Sequence, residues 1–267
     1  MVDVIRRLAS ILKVVDKLRP TFRRPIVHLP FGNPRVLVLG VYLADRQNTT
    51  SHLIQTLSAA AHCTVTQRWI ALNGPAATSE VRAATVRYVN SRVPKFTLVN
   101  ELVEPKDITA HDYIIVCDDD IMLPPDFVDR FIGWQQHCGF ALAQPARTWN
   151  SYIDHKFVRR DLFTKARETQ FVEIGPLFSM NQEMARLLLP FDDLSAMGWG
   201  YDLVWPVKAR SQGLRLGIID DAAVEHSIRA RGAAYATGPE MAAMGLYLAV
   251  NEHLRAADAF TVLRRYH

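Results

Sequence analysis

The chain has little cysteine. Its three residues, Cys63, Cys117 and Cys138, are odd in number and widely spaced, and none forms the C-x-x-C pair that suggests zinc or redox chemistry. A reducing compartment is the simpler expectation. No apolar run reaches the length of about 18 residues that spans a bilayer. The N-terminus also lacks the uninterrupted apolar core and small-residue cleavage site of a signal peptide. A cytoplasmic location is therefore expected. Repeats, low-complexity tracts and interior linkers are absent as well. The body of the chain also lacks a charge excess. Net charge is +4, but the first 24 residues hold seven basic side chains (Arg6, Arg7, Lys13, Lys17, Arg19, Arg23, Arg24) against Asp3 and Asp16, which gives +5 there and −1 elsewhere. That distribution argues against a nucleic-acid partner, which would need a basic stripe with interleaved aromatics.

What is present is ordinary globular material, 49% hydrophobic and 22% charged over 267 residues, enough for one large α/β domain. In residues 2–18, Ile5, Leu8, Ile11, Leu12, Val15 and Leu18 recur at helical spacing with charges between them. This predicts a basic amphipathic helix that packs on the domain or a second subunit, or makes a peripheral contact with anionic lipid at the inner face of the membrane. Pro20, Pro25, Pro30 and Pro34 then make an extended connector.

Residues 35–43 (RVLVLGVYL) are a continuous apolar run, as in a strand buried on both faces of a parallel sheet. Thr49, Thr50 and Ser51 cap a helix to about residue 61. Strands are expected over 64–72, 96–99, 113–117, 140–144, 171–180 and 214–219, and helices over 79–90, 126–137, 182–189 and 203–212. The pattern divides the chain into residues 1–30 (helix and connector) and one domain, 31–267. Within that domain the expectation is a nucleotide-binding half at 35–145, an acceptor half at 146–240 and a C-terminal helical segment at 238–267.

The strongest chemical signal is Asp118-Asp119-Asp120, directly after the apolar strand YIIVC, because open α/β sheets bind ligands at the carboxyl ends of their strands. Three adjacent carboxylates repel one another unless a cation or hydrogen-bond donors compensate. Hard oxygen ligands suit Mn2+ or Mg2+, and the diphosphate of a nucleotide-sugar would share that cation. In D-x-D terms Asp118 reaches the ribose or sugar or shares the metal, Asp120 binds the metal, and Asp119 stays ambiguous. A solvated acidic turn or helix cap is the plainer alternative.

Several stretches resemble one family. DYIIVCDDDI (residues 112–121), AQPA (143–146), FVEIGPLFS (171–179), GWGYD (198–202) and LGIIDDAAVEH (216–226) resemble, in order and spacing, domain of unknown function 707. That is a set of plant and bacterial proteins similar to the GT-A glycosyltransferases. The resemblance implies a GT-A-like, Rossmann-type α/β fold: a mixed, mainly parallel sheet flanked by helices. It also implies metal-dependent transfer from a nucleotide-sugar donor to a hydroxyl of a glycan or glycolipid acceptor. GWGYD looks like the acceptor-side loop of inverting GT-A enzymes, which makes Asp202 the general base and Trp199 a platform for a sugar face. Capping of the following helix is the alternative role for Asp202. His226 matches the place of a third metal ligand, a structural histidine being the alternative, and Arg229, Arg231 and Tyr235 follow in a segment suited either to the diphosphate or to a solvated loop. Asp45, after the first strand, is a candidate for the nucleotide's base or ribose, or else caps its own loop. Glu173 either lines the acceptor site or satisfies a buried arginine.

Three rivals remain. A haloacid-dehalogenase-type phosphatase also opens with strand plus D-x-D, and Asp220-Asp221 could imitate its second acidic pair. However, Met122 stands where that pattern wants Thr or Val, and the cluster lies more than a hundred residues in. A nucleotidyltransferase would carry a glycine-rich loop after the first strand, where LGVYLADRQ has one glycine. A non-catalytic nucleotide-sugar or carbohydrate-binding protein on the same fold is the third.

Overall fold

A computed structural model describes residues 32–229 and 237–267, together with Ser10 and Val14. Apart from those two residues and Pro34, the predicted N-terminal helix and connector lie outside the described residues, as do Arg231 and Tyr235.

One nine-stranded sheet organises the chain, with helices around it that include α4 (Pro105–Ala110) and α6 (Gln182–Leu188). Its first half is parallel: β1 (Arg35–Leu43), β2 (Thr64–Leu72), β3 (Thr85–Val89) and β4 (Tyr113–Cys117), in the order β3-β2-β1-β4. Its second half is β5 (Phe140–Arg147), β6 (Ala166–Thr169), β7 (Leu177–Asn181), β8 (Arg215–Val224) and β9 (Val262–Tyr266), continuing as β7-β5-β8-β6-β9. Only the β5–β8 pairing is parallel there. β6 and β7 therefore run against the other strands, and half of the eight pairings are antiparallel. The sheet is mixed, and "mainly parallel" describes strand direction only.

The period of two along β1 explains why both faces are covered. Val36 and Val38 join Leu53 and Leu57 of α1 (Thr50–Ser58) and Phe127 and Phe131 of α5 (Phe127–Cys138). Leu37 and Leu39 point the other way, toward Leu98 and Val99 of α3 (Lys95–Leu102) and Tyr201 and Trp205 of α7 (Tyr201–Ser211). Fully buried aliphatic side chains of this size each contribute about 1.5–3 kcal/mol, so sandwiching β1 stabilises the strand that lies beside β4.

Four expectations change. Residues 96–99 are not a strand: Phe96, Val99 and Leu102 sit at helical spacing in α3, and short apolar runs do not separate the two periods. The helix from Ser79 stops at Ala84 (α2, Ser79–Ala84), because Thr85, Arg87, Tyr88 and Val89 pair with β2 as β3. The strand expected over 171–180 narrows to β7, since Pro176 has no N–H to donate to a ladder. The C-terminal segment is helical only through α8 (Thr237–Val250) and the short α9 (Ala256–Ala259). It closes as β9 against β6, a short strand that had no clear sequence pattern. No helix among the described residues is long and apolar enough to cross a membrane.

Candidate active site

Chain order along the sheet reverses at β1, which has β2 on one side and β4 on the other. That is a switch point, where the crevice at the carboxyl ends of the strands accepts ligands. The aspartate cluster sits in it. Asp119 is buried and joins the two strand ends, accepting 2.7 Å from the Leu43 amide, while its backbone oxygen accepts from the amide and hydroxyl of Thr49 at 2.7 and 2.9 Å. Asp118 is more open and pairs with Lys95 Nζ at 2.6 Å.

The segment bearing His226 reaches the cluster because β8 runs on to Val224 and Glu225 then bridges Met122, with reciprocal backbone bonds of 2.8 and 3.1 Å. His226 Nε2 thereby stands 3.4 Å from Asp120 Oδ1. Arg229 closes the group. Its guanidinium pairs with both oxygens of Asp119, lies 3.2 Å from Asp120 Oδ2 and donates to the Gln47 carbonyl at 3.2 Å. Burial outweighs Arg229 at Asp119 and raises its pKa. At Asp120 burial also pushes upward, but His226, Arg229 and Lys95 prevail and hold the carboxyl below its ordinary value.

The cluster's repulsion is thus met by three basic side chains from distant parts of the chain. Among the described residues no group of three or more His, Cys, Asp or Glu converges as a metal site. Of the expected ligands Asp118, Asp120 and His226, the last two come together and Asp118 turns to Lys95. Two ligands at about 2.1 Å from a common cation stand about 3.0–3.4 Å apart for bond angles between square and tetrahedral. The Asp120–His226 separation therefore suits a shared divalent ion, and a Mg2+-like ion needs only one or two protein ligands when phosphates and water complete its shell.

A second group lies along the segment before β7. Asp118 donates its amide to the Pro176 carbonyl at 2.7 Å, and a Cβ on Gly175 would meet Asp118 Oδ2 at 3.4 Å, so this backbone runs against the cluster. Arg147, at the end of β5, donates to the Gly175 carbonyl and to Glu173 Oε2, the latter at 2.9 Å. Glu173 Oε1 in turn accepts from His155 Nδ1 at 2.9 Å. Glu173 is buried, and its ion pair is with the buried Arg147. Its hydrogen bond raises the pKa of His155 against the effect of burial. Burial pushes Glu173 upward, but His155 and Arg147 outweigh it and hold Glu173 low.

Asp202 belongs to this group. Gly198 and Gly200 have φ of +85° and +90°, and a Cβ on Gly198 would lie 2.2 Å from Phe96 Cε2, so the turn accepts only glycine there. Gly200 is the residue that caps α7, and Asp202 is the second residue of that helix, not its cap. Burial pushes the Asp202 carboxyl up to about 6, with His155 lowering it and Glu173 raising it. It has no ion-pair partner among the described residues. Trp199, half-buried, holds the turn by accepting from Ser195 Oγ at its carbonyl, 2.7 Å. Asp45 is exposed in the turn after β1.

Sequence reasoning missed Lys95, Arg147 and His155. Lys95 begins a helix misread as a strand, Arg147 directly follows the AQPA motif, and His155 lies in a stretch with no periodic signal. Asp220 and Asp221 are structural: Asp220 is clamped by Arg167 at 2.9 Å, and Asp221 by Lys165 and Arg130, both at 2.9 Å. This deprives the phosphatase reading of its second acidic pair.

No family model matches the chain, and no curated protein matches it in sequence, so the likeness to domain of unknown function 707 rests on its motifs. Solved structures do match. Residues amounting to 80% of this chain superpose on GalNAc-T7 with UDP, GalNAc and Mn2+, at TM-score 0.54 and 10% identity. A mannosyltransferase from Pyrobaculum calidifontis, PcManGT, in complex with GDP-Man and Mn2+ matches over 86% at TM-score 0.52 and 15% identity. S. aureus TarS with UDP-GlcNAc matches over 84% at 0.51 and 9%. The fold is GT-A-like. The chain spans about half of GalNAc-T7 (48%) and 68% of each of the other two. At these identities the likeness concerns architecture.

Proposed function

We propose that this GT-A-like protein is an inverting, metal-dependent glycosyltransferase that moves a sugar from a nucleoside-diphosphate sugar to a hydroxyl of a glycan or glycolipid. The observation that carries the reading is the pairing of two unlike acidic sites. One is a cation-compensated aspartate cluster at the sheet's switch point. The other is Asp202 on a glycine-formed turn, without an ion-pair partner among the described residues and close enough to feel the charge of Glu173, whose segment meets Asp118 at Gly175 and Pro176. Asp202, with its pKa near 6, is a stronger base than an ordinary carboxylate yet stays mostly ionised at neutral pH. It would take the hydroxyl proton of the acceptor as the acceptor oxygen attacks the anomeric carbon and the diphosphate departs on the opposite face.

Asp120 and His226 would hold Mn2+ or Mg2+, which supplies charge stabilisation to the departing diphosphate. Arg229 and Lys95 already lie at the cluster and would turn from the carboxylates to phosphate oxygens, Arg229 through its planar fork. Asp118 would face the ribose or sugar, with Asp45 near the nucleotide and Trp199 beside the acceptor. Asp119 is spent on Leu43 and Arg229 and serves as an anchor. The three neighbours carry UDP, GDP-Man or UDP-GlcNAc, which supports the donor class and leaves the base and sugar open.

One observation favours the non-catalytic reading: the protein's own cations balance the cluster. A single screen separates the two. Nucleotide diphosphates and their sugars are tested by thermal shift with and without Mn2+, and the best donor is then incubated with glycan acceptors. Binding with turnover and inversion at the anomeric carbon supports the enzyme, binding without turnover supports the binding protein, and no metal-dependent shift refutes both.

A further inference from the structure

α8 is apolar all round. Of its fourteen residues only Glu240 is charged. Its inward side packs Met244, Tyr247 and Leu248 against Gly200, Tyr201 and the turn that bears Asp202. Its outward side is Gly238, Pro239, Met241, Ala242, Gly245, Leu246, Ala249 and Val250, all exposed and all without charge. Met241, Leu246 and Val250 keep 58–69% of their surface, and Leu194, in the turn packed against α8, keeps 50%. A helix hydrophobic on every side belongs in an interior, and this one is half covered.

The rim of the patch is acidic. Asp192 and Asp193 are exposed in the turn packed against α8, Glu240 lies on the helix and Glu252 just beyond it. Arg255, a few residues past the end of α8, pairs with Asp258 at 2.7 Å. An anionic lipid surface would be repelled by this rim, and a second copy docking face to face would set like charges against each other. A basic amphipathic helix is the complementary shape and charge, and the sequence pattern of residues 2–18 predicts one. Residues 2–18 carry an apolar stripe (Ile5, Leu8, Ile11, Leu12, Val15, Leu18), and residues 1–24 carry a net +5. The connector, residues 19–31, reaches about 43 Å when extended, comparable with the width of a domain this size.

We propose that the exposed face of α8 is the dock for this chain's own N-terminal helix, residues 2–18, with the basic side chains meeting Asp192, Asp193, Glu240 and Glu252. The inference is independent of the catalytic reading. Docking would brace α8, and through Met244 and Leu248 the Gly198–Asp202 turn.

Hydrogen exchange on the full-length protein, with mass measured by light scattering, tests it. In the wild type the α8 amides exchange slowly. Leu8→Glu with Leu12→Glu speeds them on the order of tenfold while β4 and β8 amides keep their rates and the protein stays monomeric. Leu246→Glu, on the other partner, gives the reciprocal loss of protection in residues 2–18. Unchanged α8 exchange in the double variant overturns the proposal. So does faster exchange that accompanies conversion of a dimer to a monomer, which assigns the face to a second copy. Protection that appears only with phosphatidylserine vesicles assigns it to lipid and likewise overturns it.

Discussion

The two acidic sites differ in how the protein treats their charge. At the switch-point end, three carboxylates are met by Lys95, His226 and Arg229, brought from positions 95 and 226–229 to a cluster at 118–120. At the other end, Asp202 has neighbours but no ion-pair partner among the described residues, and burial pushes its carboxyl up to about 6. A compensated cluster suits binding, because its charges can be re-paired when an anionic ligand and cation arrive. An uncompensated, half-buried carboxylate suits proton transfer, because burial keeps its basicity high.

The largest expected effect breaks the second site alone. Asp202→Asn should lower the transfer rate by about a hundred- to ten-thousandfold while leaving donor affinity unchanged, measured by initial rates and by calorimetry. Loss of both together would mean that the two ends are not separate in function. Next comes the turn that holds Asp202. Gly198→Ala forces a Cβ onto Phe96 at a φ of +85°, so denaturant titration should show a loss of about 2–5 kcal/mol. Unchanged stability would show that the turn relaxes freely.

The other site breaks differently. Asp120→Ala should remove the Mn2+-dependent part of nucleotide-diphosphate affinity, by at least the tenfold to hundredfold that damage to the surroundings of a metal site costs. Metal-free affinity should persist through Arg229 and Lys95. His226→Ala should act in the same direction, and equal affinities with and without metal in the wild type would remove the metal from the reading.

These differences show which parts of the molecule the sequence made legible. The aspartate cluster was readable because five apolar residues run straight into it, and Asp202 because glycines bracket Trp199 before it. The compensating side chains were not. Lys95 approaches from a helix whose apolar run is too short to separate the helical period from that of a strand. Arg147 and His155 act through tertiary contacts with Glu173, and single-chain periodicity carries no trace of these. β6 and β9 went unseen because they are short: β6 is four residues, nearly all buried, and β9 is a largely exposed edge strand, so neither shows an alternation. The Asp120–His226 approach depends on the Met122–Glu225 bridge, a pairing between residues about a hundred positions apart.

A smaller effect sharpens the contrast through pH. A carboxyl whose folded pKa is raised contributes stability below its unfolded value near 4, and that contribution is lost as pH rises through about 6. Above pH 6 the ionised Asp202 is therefore a cost. Asp202→Asn should gain on the order of 1–3 kcal/mol at pH 7.5, with the gain vanishing below about pH 4, while the wild-type transfer rate falls as pH drops through 6. A gain that is flat with pH would place its origin elsewhere.

The smallest effect concerns Lys95. Its pair with Asp118 is partly open to water, with side chains 16% and 31% exposed, so solvent screens the attraction and Lys95→Met should cost under about 1 kcal/mol of stability. Asp118 then faces the cleft without its cation. If the switch-point end is a binding site whose charges re-pair on a ligand, the same substitution weakens nucleotide-diphosphate binding and flattens its salt dependence, because one phosphate partner is gone. If Lys95 only neutralises Asp118, binding with Mn2+ holds or improves, since a freed carboxylate is a better cation ligand. Calorimetry across a salt series, run beside the Asp120→Ala protein, distinguishes the two by the sign of the change.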